Sequence, residues 1–239
     1  MELKKDIIAA ALLAVLPNTQ SILLRNDSPI RLQEGLTNYI EPMFGTPPET
    51  MLVVENGVKF NAPLATGQKT GWFYDHRDNR ASLKKYVKDR RVLDVFSYLG
   101  AFGIQAATFG ASQVDCIDAS KSACEFIREN AKLNDVADKV KVINADAFDA
   151  LKALVADKKT YDVIILDPPA FVKKMKDRKE GFIAYQRLNE LAMKLLAPQG
   201  ILVSCSCSMH ISVEDLTLIL QRASRKSYCP MQLARRTDF

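Results

Sequence analysis

An acid and a thiol stand at the ends of two apolar runs. Asp167 opens Asp167-Pro168-Pro169-Ala170-Phe171, directly after the strand-like Tyr161-Asp162-Val163-Ile164-Ile165-Leu166. Cys205 and Cys207 lie within Ser204-Cys205-Ser206-Cys207-Ser208, directly after Gly200-Ile201-Leu202-Val203. In a parallel α/β sheet the carboxyl ends of the strands are where ligands and reactive groups collect. An acid and a thiol on one such rim suit covalent catalysis rather than passive binding.

Three more carboxylates occupy comparable positions. Asp94 begins Asp94-Val95-Phe96-Ser97-Tyr98-Leu99-Gly100-Ala101-Phe102-Gly103, a strand end, a loop and a helix start. Glycines such as Gly100 let backbone approach a ligand, and a helix N-terminus offers free N–H groups. The full G-x-G-x-x-G spacing is missing, which disfavours a pyrophosphate site. Asp118, followed by Ala119, ends the next strand, where a carboxylate accepts from both hydroxyls of a ribose. Asp146 follows a third strand, placed to receive an adenine amino group with Ala147 or Phe148 flanking the ring. Each acid has a plainer alternative as a helix N-cap. As a set they point to an adenosine-bearing cofactor without phosphates, S-adenosylmethionine, with Asp94, Phe96, Ser97, Gly100, Asp118, Ala119, Asp146 and Ala147 around it.

The elements that must carry these residues change character near residue 80. Before it the runs are short and punctuated: Ser21-Ile22-Leu23-Leu24-Arg25, then Met51 to Glu55, Asn56-Gly57, and Val58 to Ala62. Asn-Gly between two strand-like runs is a strong hairpin signal. Residues 1–80 therefore read as a small β-rich module with one leading helix. From 81 to 239 strands and helices alternate: strands at Val92–Phe96, Gln113–Asp118, Lys141–Ala145, Tyr161–Leu166 and Gly200–Val203 are separated by helical stretches. That rhythm gives an α/β fold, a doubly wound, Rossmann-like parallel sheet. A helix is expected over Ile211 to Ala223, and Tyr228 to Leu233 reads as the start of a sixth strand.

Bulk properties narrow the classes. The 239 residues carry a net charge of +5, which permits an anionic partner without demanding one. Five cysteines lack disulfide-framework spacing, and with two histidines no metal site is expected. A reduced, cytoplasmic setting follows. Lys4-Lys5-Asp6 before Ile7 to Leu16 resembles the front of a secretory signal, but Glu2 and Asp6 interrupt the basic region. The better reading is a short amphipathic helix ended by Pro17, and the run is too short to span a bilayer.

Four motifs occur in one order: Lys69-Thr70-Gly71-Trp72-Phe73-Tyr74-Asp75-His76-Arg77-Asp78-Asn79-Arg80, Val92-Leu93-Asp94-Val95-Phe96-Ser97-Tyr98, the Asp167-Pro168-Pro169-Ala170-Phe171 loop, and Ser206-Cys207-Ser208. The combination resembles the class I methyltransferases that make 5-methylcytosine in large-subunit ribosomal RNA, the RlmI-like family, from the leading helix to about residue 224. The resemblance implies a cytoplasmic S-adenosylmethionine-dependent enzyme acting on ribosomal RNA, with a homodimer allowed. It assigns Cys207, in the place of the family's cysteine, as the nucleophile. Asp167 hydrogen-bonds cytosine at N3 as general acid and borders the cofactor. Two departures stand out: the family's N-terminal PUA domain and its C-terminal hairpin have no counterpart in the sequence, so an incomplete enzyme is expected. His76 stands where the family often has Gln.

Several residues remain open between roles. Pro168 and Pro169 stiffen the loop at the substrate. Phe171 either stacks on a flipped-out base or packs beneath the loop. The run Lys173-Lys174-Met175-Lys176-Asp177-Arg178-Lys179 is either a solvated face or a grip on RNA phosphates, the latter favoured by its place on the acid's loop. Arg77, Arg80 and Lys69 are candidates for the cofactor carboxylate or the RNA entrance. Cys205, on the same face as Cys207 if the strand persists, is a reserve thiol, a release aid or core, with core favoured; His210 either tunes the thiol or is structural, the latter favoured. Two rival functions survive: amino-group methylation of adenine or protein, which uses a similar acid-Pro-Pro loop and needs no thiol, and an inactive RNA-binding relic.

Overall fold

The computed structural model describes residues 2–67 and 71–234. Two compact units emerge, Met1–Val53 with Asn61–Tyr74, and Val54–Phe60 with Asp75–Phe239. The sequence places the change of character near residue 80. In space the hairpin tip from Val54 to Phe60 belongs with the larger unit.

In the first unit, helix α1 (Lys5–Val15) stops just before Pro17, which cannot continue a helix. Only Ala9 of α1 is buried, and its apolar face carries exposed Ile7, Leu12 and Val15. Strand β1 (Ile22–Asn26), helix α2 (Pro29–Gln33) and strand β2 (Tyr39–Phe44) follow, with β1 and β2 antiparallel. Neither α2 nor β2 shows a clear period in the sequence. Strands β3 (Thr50–Glu55) and β4 (Val58–Pro63) form a second two-stranded sheet. Asn56 and Gly57 between them both have positive φ, 55° and 83°, as a tight hairpin turn of this composition requires. Among the described residues no helix is long and apolar enough to cross a membrane.

The larger unit opens with helix α3 (Arg77–Ser82) and then alternates: β5 (Arg91–Val95), α4 (Ala101–Thr108), β6 (Gln113–Asp118), α5 (Lys121–Leu133), β7 (Val140–Asn144), α6 (Ala147–Ala156), β8 (Tyr161–Leu166), α7 (Arg178–Leu195), β9 (Leu196–Ser204) and α8 (Val213–Ser227). The five strands form one sheet in the order β7-β6-β5-β8-β9, with parallel pairing throughout. The chain winds outward to β7, then returns to lay β8 on the other side of β5. A crevice opens at such a reversal, outside the carboxyl ends of β5 and β8. The expected doubly wound α/β architecture is therefore present.

Strand pleating sorts the side chains between two faces. Leu93, Val95, Ile117, Ile164 and Leu166 enter a core with Leu151 of α6 and Leu188 and Leu195 of α7. The alternate residues Asp94 and Cys116 face α4, which comes close because Gly103 has no side chain: a Cβ there would meet the Cys116 sulfur at 2.5 Å and an Asp94 carboxylate oxygen at 3.0 Å. Register then aligns the rim. Leu166 pairs with Val95 on one side and with Ser204 on the other, so Asp167 and Cys205 leave the sheet at the same level.

At the C-terminal side, α8 starts later and ends later than expected. Ser212 caps it in a reciprocal box with Asp215. Tyr228 to Ala234 form no strand, in contrast to the sixth strand expected there. Cys229 and the residues around it close the helix instead, its amide donating to the Ser224 carbonyl.

Candidate active site

The loop after β5 shapes the crevice floor. Phe96, Tyr98 and Gly100 all adopt left-handed backbone conformations, at φ 66°, 51° and 80°. For non-glycine residues this costs on the order of 1–3 kcal/mol each and tends to cluster at functional sites. The turn persists because it is tied down. The Ser97 amide donates to the Ile117 carbonyl, the Gly100 amide to the Ser97 carbonyl, and the Tyr98 amide to an Asp118 carboxylate oxygen at 2.8 Å. Ser97, expected at the cofactor, turns its hydroxyl back to the Asp94 carbonyl at 2.7 Å and is buried, so it braces the loop. Gly100 acts through shape: a Cβ would strike the Ile104 side chain at 2.7 Å.

Asp94 lies at the bottom of this turn and is almost wholly buried. One oxygen accepts the Gly103 amide at 2.9 Å, while the other, also buried, has no hydrogen-bond partner among the described residues. Burial raises its pKa to about 7, helped by the nearby Asp167 and Asp118 charges. An orphaned buried carboxylate oxygen is costly unless a donor is brought to it. Asp118 ends β6 half-buried, one oxygen taking the Tyr98 amide and the other the Ser120 amide. Each oxygen retains a second lone pair for a hydroxyl donor. Ala119 beside it is exposed.

Asp146 takes its plainer alternative in part. It caps α6, one oxygen accepting the Phe148 and Asp149 amides. Ala147, expected beside the adenine, has its side chain in the core under α6, because the first turn of that helix packs onto the sheet. Three acids nonetheless end three successive strands around one crevice. The orphan oxygen of Asp94, the glycine-closed approach of α4, the half-buried Asp118 and the exposed Asp146 suit an adenosine with a cationic tail.

The acid and thiol converge on the other side of the crevice. The Cys207 thiol is exposed and donates to the Pro168 carbonyl at 3.7 Å, directly beside Asp167. The Cys205 thiol points into the protein although the residue is only partly covered. Burial pushes its pKa well up, with the Asp167 charge adding to the effect. A thiol so held is a poor nucleophile. One thiol thus turns inward and the other lies at the rim.

His76 approaches Asp167, its Nε2 3.6 Å from a carboxylate oxygen, while its ring meets Phe102 edge-on at 5.6 Å. Arg77 is exposed, its backbone carbonyl accepting from the Asn56 amide group. Arg80 is not at the rim. It is buried in a two-pronged pair with Glu55, at 2.6 and 2.9 Å, and Gln105 also donates to Glu55. Lys69 lies outside the described residues. His210 is half-buried just before α8.

Phe171 fits the packing alternative. Its ring sits 4.7 Å from Tyr185, 6.2 Å from Phe148 and 6.4 Å from Phe96, bridging two core clusters rather than standing free for a base. Pro168 is buried and Pro169 exposed, and Lys173 and Lys174 are both exposed on the loop that follows. Sequence reasoning missed two contributors. Glu55 gives a faint sign, an acid on an otherwise apolar strand. Tyr185 gives none beyond its place on the buried face of α7.

A parallel α/β sheet with acids at successive strand ends defines a doubly wound fold of the nucleotide-binding type. The S-adenosylmethionine-dependent methyltransferase family model matches residues 33–233, and the chain belongs to that family. Curated relatives named ribosomal RNA large subunit methyltransferase I are similar: that of Aeromonas salmonicida is 39% identical over 210 residues, covering 87% of this chain and 52% of the relative. The Vibrio vulnificus protein is 38% identical over 211 residues, covering 87% and 53%. The chain thus spans about half the length of these relatives. Among solved structures, the methyltransferase SMU.776 in complex with SAH superposes with a TM-score of 0.79 at 25% identity, covering 93% of this chain and 57% of that one.

Proposed function

We propose that this chain is the catalytic core of an enzyme that forms 5-methylcytosine in large-subunit ribosomal RNA through a Cys207 adduct. The observation that carries the reading is the pairing of an exposed Cys207 thiol with the Asp167-Pro168 loop at 3.7 Å, while Cys205 is turned inward. The curated relatives' names supply the RNA class, and the methyltransferase family supplies the reaction class.

S-Adenosylmethionine, when bound, supplies an electrophilic methyl group. Asp118 receives the ribose hydroxyls, Asp146 the adenine amino group through its oxygen not used in the cap, and the orphan oxygen of Asp94 a cationic donor. Phe96 and Ala119 line the way in, and exposed Arg77 meets the cofactor's carboxylate.

Carbon 5 of cytosine is a weak nucleophile. The Cys207 thiolate adds to carbon 6, its electron pair forming the S–C bond while the ring electrons shift toward N3. Asp167 donates a proton or hydrogen bond at N3, so the ring becomes an enamine with carbon 5 nucleophilic. Carbon 5 takes the methyl group with S-adenosylhomocysteine as the leaving group; a solvent base then removes the carbon-5 proton, the returning electrons expel the thiolate, and N3 gives its proton back to Asp167. Pro168 and Pro169 keep the acid's loop stiff during these steps. Lys173 and Lys174, exposed on the loop that follows Asp167, grip backbone phosphates of the RNA, an electrostatic contribution. The setting is the cytoplasm, where ribosomal RNA is modified.

The test is transfer of tritiated methyl groups to an unmodified large-subunit ribosomal RNA transcript, with digestion to nucleosides. Label in 5-methylcytidine that disappears in Cys207→Ala is the expected result. Label in a methylated adenosine, surviving in Cys207→Ala, would instead establish amino-group methylation.

A further inference from the structure

The segment carrying Cys207 is fixed by a side chain from a different element. Tyr185, on the inner face of α7, is fully buried. Its hydroxyl accepts from the Ser206 hydroxyl at 3.0 Å and lies 2.9 Å from the Ser208 hydroxyl. A phenol has one proton. Between Tyr185 and Ser208 either hydroxyl can donate. Ser208 in turn accepts the Val172 amide at 3.1 Å, and the Ser208 amide donates to the Ser206 hydroxyl at 3.3 Å. Val172 lies five residues along the loop that begins at Asp167. One buried phenol thus joins both neighbours of the thiol to the acid's loop, in a polarised chain of hydrogen bonds.

We propose that Tyr185 is a positioning residue whose hydroxyl sets the separation of Cys207 and Asp167. The proposal rests on the reading of Cys207 as nucleophile. Tyr185 does not touch substrate or cofactor; it acts through Ser206 and Ser208. Burial also raises its pKa, so the phenol stays protonated and able to donate across the working range. Without the hydroxyl, the thiol turn is released from the loop of Asp167, and near-attack geometry is lost while binding groups remain in place.

The variant is Tyr185→Phe. Removing a buried hydroxyl leaves two serines without their shared partner and costs about 1–3 kcal/mol, so a matched control is needed. Tyr161 supplies it. It is equally buried, donates to the Asp115 carboxylate at 2.7 Å, and lies at the start of β8, away from the rim. Wild type, Tyr185→Phe and Tyr161→Phe are compared per S-adenosylmethionine-binding site, titrated by calorimetry. In Tyr185→Phe, kcat on ribosomal RNA falls by about tenfold or more while KM and cofactor affinity stay within about twofold. Iodoacetamide alkylates Cys207 severalfold faster in Tyr185→Phe, because the thiol is freed from the Pro168 carbonyl. Tyr161→Phe changes neither quantity. An unchanged kcat in Tyr185→Phe overturns the proposal, as does an equal loss in Tyr161→Phe. If wild type methylates no cytosine, the functional reading fails separately. The clamp is then judged by alkylation alone, and a rate unmoved by Tyr185→Phe overturns it.

Discussion

Two cysteines two positions apart show how little spacing alone decides. Cys205 and Cys207 are both candidates by type, yet the first thiol is desolvated beside Asp167 and the second meets solvent. Replacing Cys205 with Ser should leave methyl transfer largely intact, whereas Cys207→Ser should reduce it at least about 10³-fold, as loss of a nucleophile does; tritium transfer distinguishes them. Asp94 offers a second prediction. Its folded-state pKa, about 7, lies above the ordinary carboxylate value, so the folded protein holds a proton that the unfolded chain has lost between about pH 4 and 7. The associated stability is fully present below about pH 4 and is lost as pH rises through about 7. Urea unfolding of the ligand-free protein should therefore show wild type weakening relative to Asp94→Asn between about pH 5 and pH 8. A constant difference between the two would contradict the assignment. The rim positions of Asp94, Asp118 and Asp146 are legible from the sequence because each follows an apolar run. The inward turn of Ser97 and Ala147 is not, because it depends on how the loop folds and how α6 lands on the sheet.

Elements hold these residues in place through close approach and buried pairing. Helix α4 reaches the sheet only because position 103 has no Cβ. Gly103→Ala brings a methyl group to 2.5 Å from the Cys116 sulfur, so either α4 or β6 must shift. Overpacking of this kind costs about 1–3 kcal/mol, and here it also moves the amide that holds Asp94. The expected outcome is a lower midpoint of thermal unfolding together with weaker S-adenosylmethionine binding by calorimetry. Loss of stability without loss of affinity would separate α4 from the cofactor site. Arg80 makes a related case. Sequence reading makes it, with Arg77 and Lys69, a candidate for the cofactor carboxylate or the RNA entrance. Its true partner is Glu55, 25 positions earlier in the chain and brought close only by folding. Arg80→Ala leaves a buried carboxylate without its pair, a loss of about 3–5 kcal/mol that urea unfolding would measure. Strand-and-helix alternation after residue 80 is plain in the sequence, whereas α2 and β2 carry no period strong enough to read.

At the scale of the whole molecule the excess of positive charge is modest, +5 over 239 residues, so its placement matters more than its size. Lys173 and Lys174 stand exposed on the loop that follows Asp167. Replacing both with Ala should weaken RNA binding and flatten its dependence on salt, by about 0.7 in the logarithmic slope for each phosphate of a single strand that is no longer neutralised. Filter binding across a salt series measures this, and an unchanged slope would leave the run as a solvated face. The proposed chemistry turns on a covalent bond between Cys207 and a cytosine. The most direct measurement uses ribosomal RNA transcribed with 5-fluorocytidine, whose carbon 5 has no proton to lose, so the adduct cannot resolve after methyl transfer. With S-adenosylmethionine present, the expected result is a denaturant-stable protein–RNA band whose crosslinked peptide contains Cys207, and no band from Cys207→Ala. Methyl transfer to ordinary cytidine RNA without any such adduct, or an adduct through Cys205, would contradict it.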